Sequence, residues 1–142
     1  MNSLQYCVIK IGSNVLTQKD GNPDLLRMKH LVSQITFLRQ QQIKVILVSS
    51  GAVAFGKKEI KLPEKLNPIL KKQIWASSGQ IELIQTYKSL FGELGIQIAQ
   101  ILVTKEDFRD RKHFLNMKNC IEALLQQGNG RLEAFSIQRI GA

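Results

Sequence analysis

Cysteine, histidine and acidic side chains are scarce in this chain of 142 residues, and each shortage excludes something. The two cysteines, Cys7 and Cys120, have neither metal nor redox spacing and read as reduced, buried thiols. The two histidines, His30 and His113, lack ligand spacing: one falls off the apolar stripe of its predicted helix and the other sits in a charged stretch. Long hydrophobic runs are missing too, since Lys44, Ser49 and Ser50 break the longest candidate for a membrane span. The first residues show no basic region followed by an apolar stretch, so the expected compartment is the cytoplasm. Neither an internal repeat nor a low-complexity linker is present. Acidic residues number 11 against 20 lysines and arginines, a net charge of +9 that raises the question of a nucleic-acid partner. Lys57, Lys58, Lys61, Lys65, Lys71 and Lys72 cluster, but only Phe55 and Trp75 lie nearby and no nucleic-acid-binding motif appears. A solvated basic face is the expectation, with no nucleic acid and no membrane as partner.

What is present is ordinary for one soluble domain, 44% apolar and 22% charged, with two unusual segments. Val8-Ile9-Lys10-Ile11-Gly12-Ser13-Asn14 and Val45-Ile46-Leu47-Val48-Ser49-Ser50-Gly51-Ala52 are each an apolar strand running into a small-residue loop with a hydroxyl. In a parallel α/β sheet the carboxyl ends of strands share one edge, where small anionic ligands bind. Lys10 interrupts an apolar strand two residues before Gly12, where the chain can turn tightly and its N–H groups can approach an anion. A lysine at a buried strand end requires a negative partner, and phosphate is the natural one. The alternative is a side chain that snorkels out at the sheet edge.

The stretch Gly51 to Lys58 nearly spells a Walker A loop, but its eighth position is Lys58 instead of the serine or threonine whose hydroxyl holds magnesium. Gly51 to Phe55 reads better as the first turn of a helix. Ser50 and the N–H groups of Gly51 and Ala52 then lie at a positive helix end that can take a carboxylate or phosphate. A plain N-cap role also explains Ser50.

Strand and helix alternate along the chain. Leu4 to Ile11 is predicted as a strand; after Asp20-Gly21, Asn22 caps a helix with Pro23 at its first position. Leu25, Met28, Val32, Ile35 and Leu38 recur at helical spacing through Gln40. Ile43 to Val48 is a strand, followed by a helix opening at Ser50. Asn67-Pro68 starts a long helix towards Gly92, with Gly79 inside it as a packing or active-site glycine or a weak point. Ile96 to Val103 is the third strand, and Thr104 with Asp107 reads as a capping box. Phe114, Met117, Ile121, Leu124 and Leu125 line one face of a last helix ending near Gly128. Strands separated by helices imply a parallel sheet covered on both faces.

The segments VIKIGSNVLT (8 to 17), VILVSSGAVAFG (45 to 56), KKQIWASSGQIELIQ (71 to 85) and ILVTKEDFRDRKHFLN (101 to 116), in this order, resemble the glutamate 5-kinases of the amino acid kinase family. The first two fit the wider family; the third and fourth make the likeness specific. It covers about residues 4 to 128, roughly the first half of that family's catalytic domain. The implied fold is a three-layer αβα sandwich with a mainly parallel sheet, incomplete here. Residues 1–128 would be the amino-terminal, glutamate-binding part, and 129–142 a divergent tail.

The resemblance implies transfer of the γ-phosphoryl of ATP, with Mg2+, to the side-chain carboxylate of L-glutamate, the first step of proline biosynthesis. Lys10 matches the lysine that holds the transferring phosphoryl group, and Gly12 and Ser13 the glycine-rich turn beside it. Ser50 matches a glutamate-binding residue, with Gly51 and Ala52 in the same turn. Ligands for the metal are not identifiable in this chain. No general base is needed, because the nucleophile is ionised at neutral pH. Acetylglutamate and aspartate kinases, and a non-catalytic basic module that binds nucleic acid, are the alternatives. A homo-oligomer is compatible with all of these.

The family continues past the last helix into another buried strand, an Asn- and Asp-rich loop and a nucleotide-binding half, whereas Asn129 to Ala142 does not align with it. A frameshift, a deliberate shortening or a short divergent protein would each leave such a tail; the encoding nucleotides in the other two frames past Gly128 decide. Leu132, Phe135, Ile137 and Ile140 fit neither a buried strand nor a helical stripe. The expectation is therefore a three-stranded sheet with uncovered edges, poorly stable as a monomer and catalytically inactive.

Overall fold

A computed structural model of the chain describes residues 5–103 and 106–126 and the backbone of 134–139. Four strands, β1 (Tyr6–Ile11), β2 (Lys44–Ser49), β3 (Ile98–Val103) and β4 (Ala134–Arg139), form one sheet in the order β1-β2-β4-β3. Each adjacent pair is parallel. Parallel strands need a crossover to return to the same end, and the helices α1 (Leu25–Gln40), α2 (Ala52–Glu59), α3 (Pro68–Glu93), α4 (Glu106–Arg109) and α5 (Arg111–Gln126) lie in these connections.

The sheet separates two apolar layers. On one side Ile11, Val45 and Leu47 bury against Met28, Val32 and Ile35 of α1, Phe55 of α2, and Leu83, Tyr87 and Phe91 of α3. On the other, Ile46 packs with Leu125, Ile121 and Leu124 of α5. The three-layer αβα arrangement follows from this division. The second layer is thinner: Tyr6 and Val8 stay 58% and 59% exposed, and a groove of about 510 Å³ runs between Tyr6, Ile46, Phe114 and Met117.

Local expectations required three corrections. The sheet has four strands, because residues 134–139 insert between β2 and β3, Val45 aligning with Ala134 and Val103 with Arg139. Phe135 and Ile137 carry a period-two signal that the wider spacing of Leu132 and Ile140 obscured, and two flanking parallel strands offer that backbone hydrogen bonds on both sides. Helix α1 is capped by Asp24, whose Oδ1 accepts from the Arg27 N–H at 3.0 Å. Asn22 is engaged in the preceding turn instead, donating its N–H to Asp20 Oδ1 at 3.0 Å, and Pro23 pairs with Thr17. The Asn22 side-chain amide also donates, to Asp20 Oδ2 at 3.0 Å, and these two bonds, the backbone one foremost, hold the Asp20 carboxyl below the usual carboxylate range. Leu25 and Phe114 are exposed at 50% and 42%, at the margin of the apolar face of each helix, and Phe114 lines one groove with Met117, Ile121 and Leu125, the face that their spacing indicates. Cys7 is half-buried and Cys120 exposed, so neither is a fully buried thiol. The long helix starts as its sequence indicates, with Asn67 Oδ1 accepting from the Ile69 N–H at 2.8 Å. Thr104 of the expected capping box and Gly128 lie outside the described residues.

Candidate active site

The register of β1 against β2 aligns Lys10 with Val48 and Ile11 with Ser49, so both loops leave the sheet at one end. After β1, Gly12 is extended (φ −76°, ψ 160°) and leads into a 3-10 turn over Ser13–Val15. Short turns of this kind leave their first N–H groups without a partner in the same turn. The turn is closed by Val15 N–H donating to Gly12 O and Leu16 N–H to Ser13 O, both at 3.1 Å. The second loop consists of Ser50 and Gly51 alone. Ser50 fastens it to the first: its N–H donates to Ile11 O at 3.0 Å and its hydroxyl to the same oxygen at 3.2 Å. Gly51 then takes φ 115°, a left-handed conformation that favours glycine. Fully buried Leu16 lies against it, 3.4 Å from where a Cβ would stand. Helix α2 begins at Ala52.

Lys10, Gly12 and Ser13 therefore share an edge with Ser50, Gly51 and Ala52, as the two strand-loop segments indicate. The exposure of Lys10 matches the snorkelling alternative given for it, and two further details differ from expectation. Lys10 is exposed, because strand alternation places it on the face of Tyr6 and Val8, so no buried charge demands an anion. Gly12 needs no glycine-specific conformation, and the space beside it that a Cβ would fill is open. The N-cap of α2 is Gly51, while Ser50 points its hydroxyl back to β1, so the plain cap role for Ser50 does not hold. Residues Ala52 to Glu59 are helical and Lys57 and Lys58 lie in the last turn, with Lys57 Nζ 5.1 Å from the centroid of the Trp75 ring. A phosphate-wrapping loop over Gly51 to Lys58 is thereby excluded.

Sequence reasoning missed the buried Ser49–Tyr87 pair that supports this edge, whereas Gly79 has the packing role given as one of its readings. Ser49 is buried, and its Oγ lies 2.8 Å from Tyr87 Oη and 3.1 Å from Ser50 O. Burial pushes the Tyr87 hydroxyl upward in pKa, with the Ser49 hydrogen bond pulling the other way, so the phenol is protonated at neutral pH. Gly79 of α3 sits against the first turn of α2: a Cβ there would collide with Ala52 O and Gly56 N, and one on Gly56 would collide with the backbone of Trp75. Gly79, Leu83, Tyr87 and Phe91 form a buried stripe of α3 at four-residue spacing, a signal the sequence did carry.

Comparison with known proteins decides the lineage. Residues 5–130 match the model of the amino acid kinase family. The chain belongs to the amino acid kinase family. Among curated relatives, the glutamate 5-kinase of Bacteroides thetaiotaomicron is 46% identical over 120 residues, 84% of this chain and 33% of the relative. That of Chlorobaculum tepidum is 49% identical over the same number of residues and shares. That of Clostridium acetobutylicum is 41% identical over 128 residues, 90% of this chain and 48% of the relative. The chain thus spans about a third of the length of the first two relatives and about half of the third. For an amino acid kinase, the edge built by Lys10 and Ser50 is the part of the sheet where the two loops meet. No helix among the described residues is long and apolar enough to cross a membrane.

Proposed function

We propose that this chain supplies the glutamate-binding, phosphoryl-positioning part of an ATP-dependent kinase that phosphorylates the side-chain carboxylate of L-glutamate, the first step of proline biosynthesis. The observation that carries the reading is that the Ser50-Gly51 turn is fastened to Ile11, next to Lys10 at the end of β1, in a chain 46% and 49% identical to two glutamate 5-kinases. The N–H groups at the start of α2 take the substrate carboxylate, where the helix end favours negative charge, and the Ser50 hydroxyl turns from Ile11 O to donate to the same carboxylate. Lys10, with the turn at Gly12 and Ser13, takes the oxygens of the transferring phosphoryl group. A carboxylate oxygen forms its bond to phosphorus as the bond to the leaving oxygen of the nucleotide breaks; both reactants are anions, so positioning and charge neutralisation dominate. Among the described residues no group of three or more His, Cys, Asp or Glu could hold a metal ion. Magnesium is usually held by one or two carboxylates together with the nucleotide phosphates, and no ligand for it is assigned among the described residues.

The test is a chimera in which residues 1–128 replace the matching segment of the Bacteroides relative. ATP consumption dependent on L-glutamate, and not on L-aspartate or N-acetylglutamate, is the expected result; preference for either of those substrates overturns the assignment. In the same protein Ser50→Ala is expected to raise the apparent KM for glutamate about 10- to 100-fold, the cost of one hydrogen bond to a charged group. The KM for ATP should stay within about threefold, a change small beside that bond. If only the ATP constant rises, the two loops have exchanged roles. The 142-residue chain by itself is expected to bind L-glutamate weakly and to turn over no ATP.

A further inference from the structure

Tyr87 and Ser49 lie behind the loop instead of in it, and their hydrogen bonds run in one direction only. Ser49 Oγ has a single proton, and its geometry towards Ser50 O, 3.1 Å away, is that of a donor. Its contact with Tyr87 Oη at 2.8 Å must then be one in which it accepts. The buried phenol keeps its proton at neutral pH, as that direction requires. The result is a chain from Tyr87 Oη–H to Ser49 Oγ–H to the carbonyl of Ser50.

That carbonyl belongs to the peptide joining Ser50 to Gly51. The Ser50 N–H and hydroxyl both lie on Ile11 O, so its carbonyl is the group that Ser49 holds from the core side. A trans peptide is planar, and its N–H points opposite to its C=O. Drawing the Ser50 carbonyl towards Ser49 and Tyr87 therefore turns the Gly51 N–H away from the core layer, at the start of α2. A glycine with φ 115° has many other conformations available, so without such a restraint this peptide could rotate.

We infer that Tyr87, acting through Ser49, is a positioning residue that sets the Ser50-Gly51 peptide so that the Gly51 N–H donates to the carboxylate of the bound amino acid. This rests on the glutamate reading given above. Preorganised backbone donors lose little on binding because nothing has to be reoriented. The chain also accounts for a hydroxyl on Tyr87, since phenylalanine would fill the same space beside Phe91, whose ring centroid is 6.3 Å away.

The test uses the full 142-residue chain, labelled with 13C and 15N, and L-glutamate as the probe. Ser49→Ala should move the Ser50 carbonyl 13C resonance upfield, the direction of a lost hydrogen bond. Tyr87→Phe should move it less and in the same sense, because linked hydrogen bonds strengthen one another. Each variant should weaken glutamate binding roughly threefold to tenfold, the range of one net hydrogen bond. The double variant should be no weaker than Ser49→Ala, and Ser49→Thr, which keeps the hydroxyl, should restore binding. Variants that lose thermal stability but bind glutamate like the parent would show a packing role and overturn the inference. So would an unmoved Ser50 carbonyl resonance, or additive losses in the double variant. A parent chain whose Ser50, Gly51 and Lys10 resonances ignore glutamate would overturn the functional reading and this inference together. Intact parent binding with unaffected variants would overturn this inference alone.

Discussion

Lys10→Met in the chimera is expected to lower turnover at least 100-fold while the KM for glutamate changes less than about threefold, since removing one preorganised charge contact in a transition state costs about 10²–10³ in rate. The argument is electrostatic. Methionine matches the lysine stem in length and lacks the ammonium, so the transferring phosphoryl group loses its positive partner while the carboxylate keeps Ser50 and the start of α2. Lys10 is exposed, and its replacement removes no packing, so the folded state should change by no more than about 0.5 kcal/mol. Steady-state kinetics with saturating ATP, alongside urea unfolding of the same variant, separate the two effects. An unchanged turnover number would remove Lys10 from the mechanism. A fall in turnover matched by a collapse in stability would assign it to the fold instead.

Gly79→Ala should be strongly damaging, costing about 3 kcal/mol or more, the upper end of what overpacking usually costs. The added methyl would fall on Ala52 O and Gly56 N, which are backbone atoms, so no side-chain rotation relieves the clash and α2 and α3 must separate. The gain in helix propensity from glycine to alanine offsets at most about 1 kcal/mol. Gly92 in the same helix provides the control, because a Cβ there meets nothing within 4 Å. Gly92→Ala is expected to stabilise by up to about 1 kcal/mol through propensity alone. The urea midpoints of both variants against the parent give the comparison. A neutral Gly79→Ala would mean that the two helices do not approach at these glycines. Because α2 begins at the binding turn, a separated helix pair should also weaken glutamate binding, which ties this packing contact to the site.

The amino-acid sequence by itself determined the elements whose signals lie within a turn or two of one another. The apolar runs around Val8 and Val45, each ending in a small-residue loop, announced the two strands and the edge where Lys10 and Ser50 meet. Asn67-Pro68 announced the start of α3, and the alternation of strands with helices announced a parallel sheet. These are matters of side-chain periodicity, capping and turn chemistry, which neighbours in sequence decide. Only the tertiary structure decided which distant groups meet. It placed 134–139 between β2 and β3, where two open backbone edges outweigh a short and weak alternation. It exposed Lys10, because the second layer leaves that part of β1 uncovered, and it turned Ser50 from a helix cap into a clasp on Ile11. It paired Tyr87 with Ser49 across 38 residues and set Gly79 against Ala52. Such pairings follow from how closely two helices cross and how they lie on the sheet. That geometry is settled by the summed packing of the whole core, and no local stretch of sequence contains it.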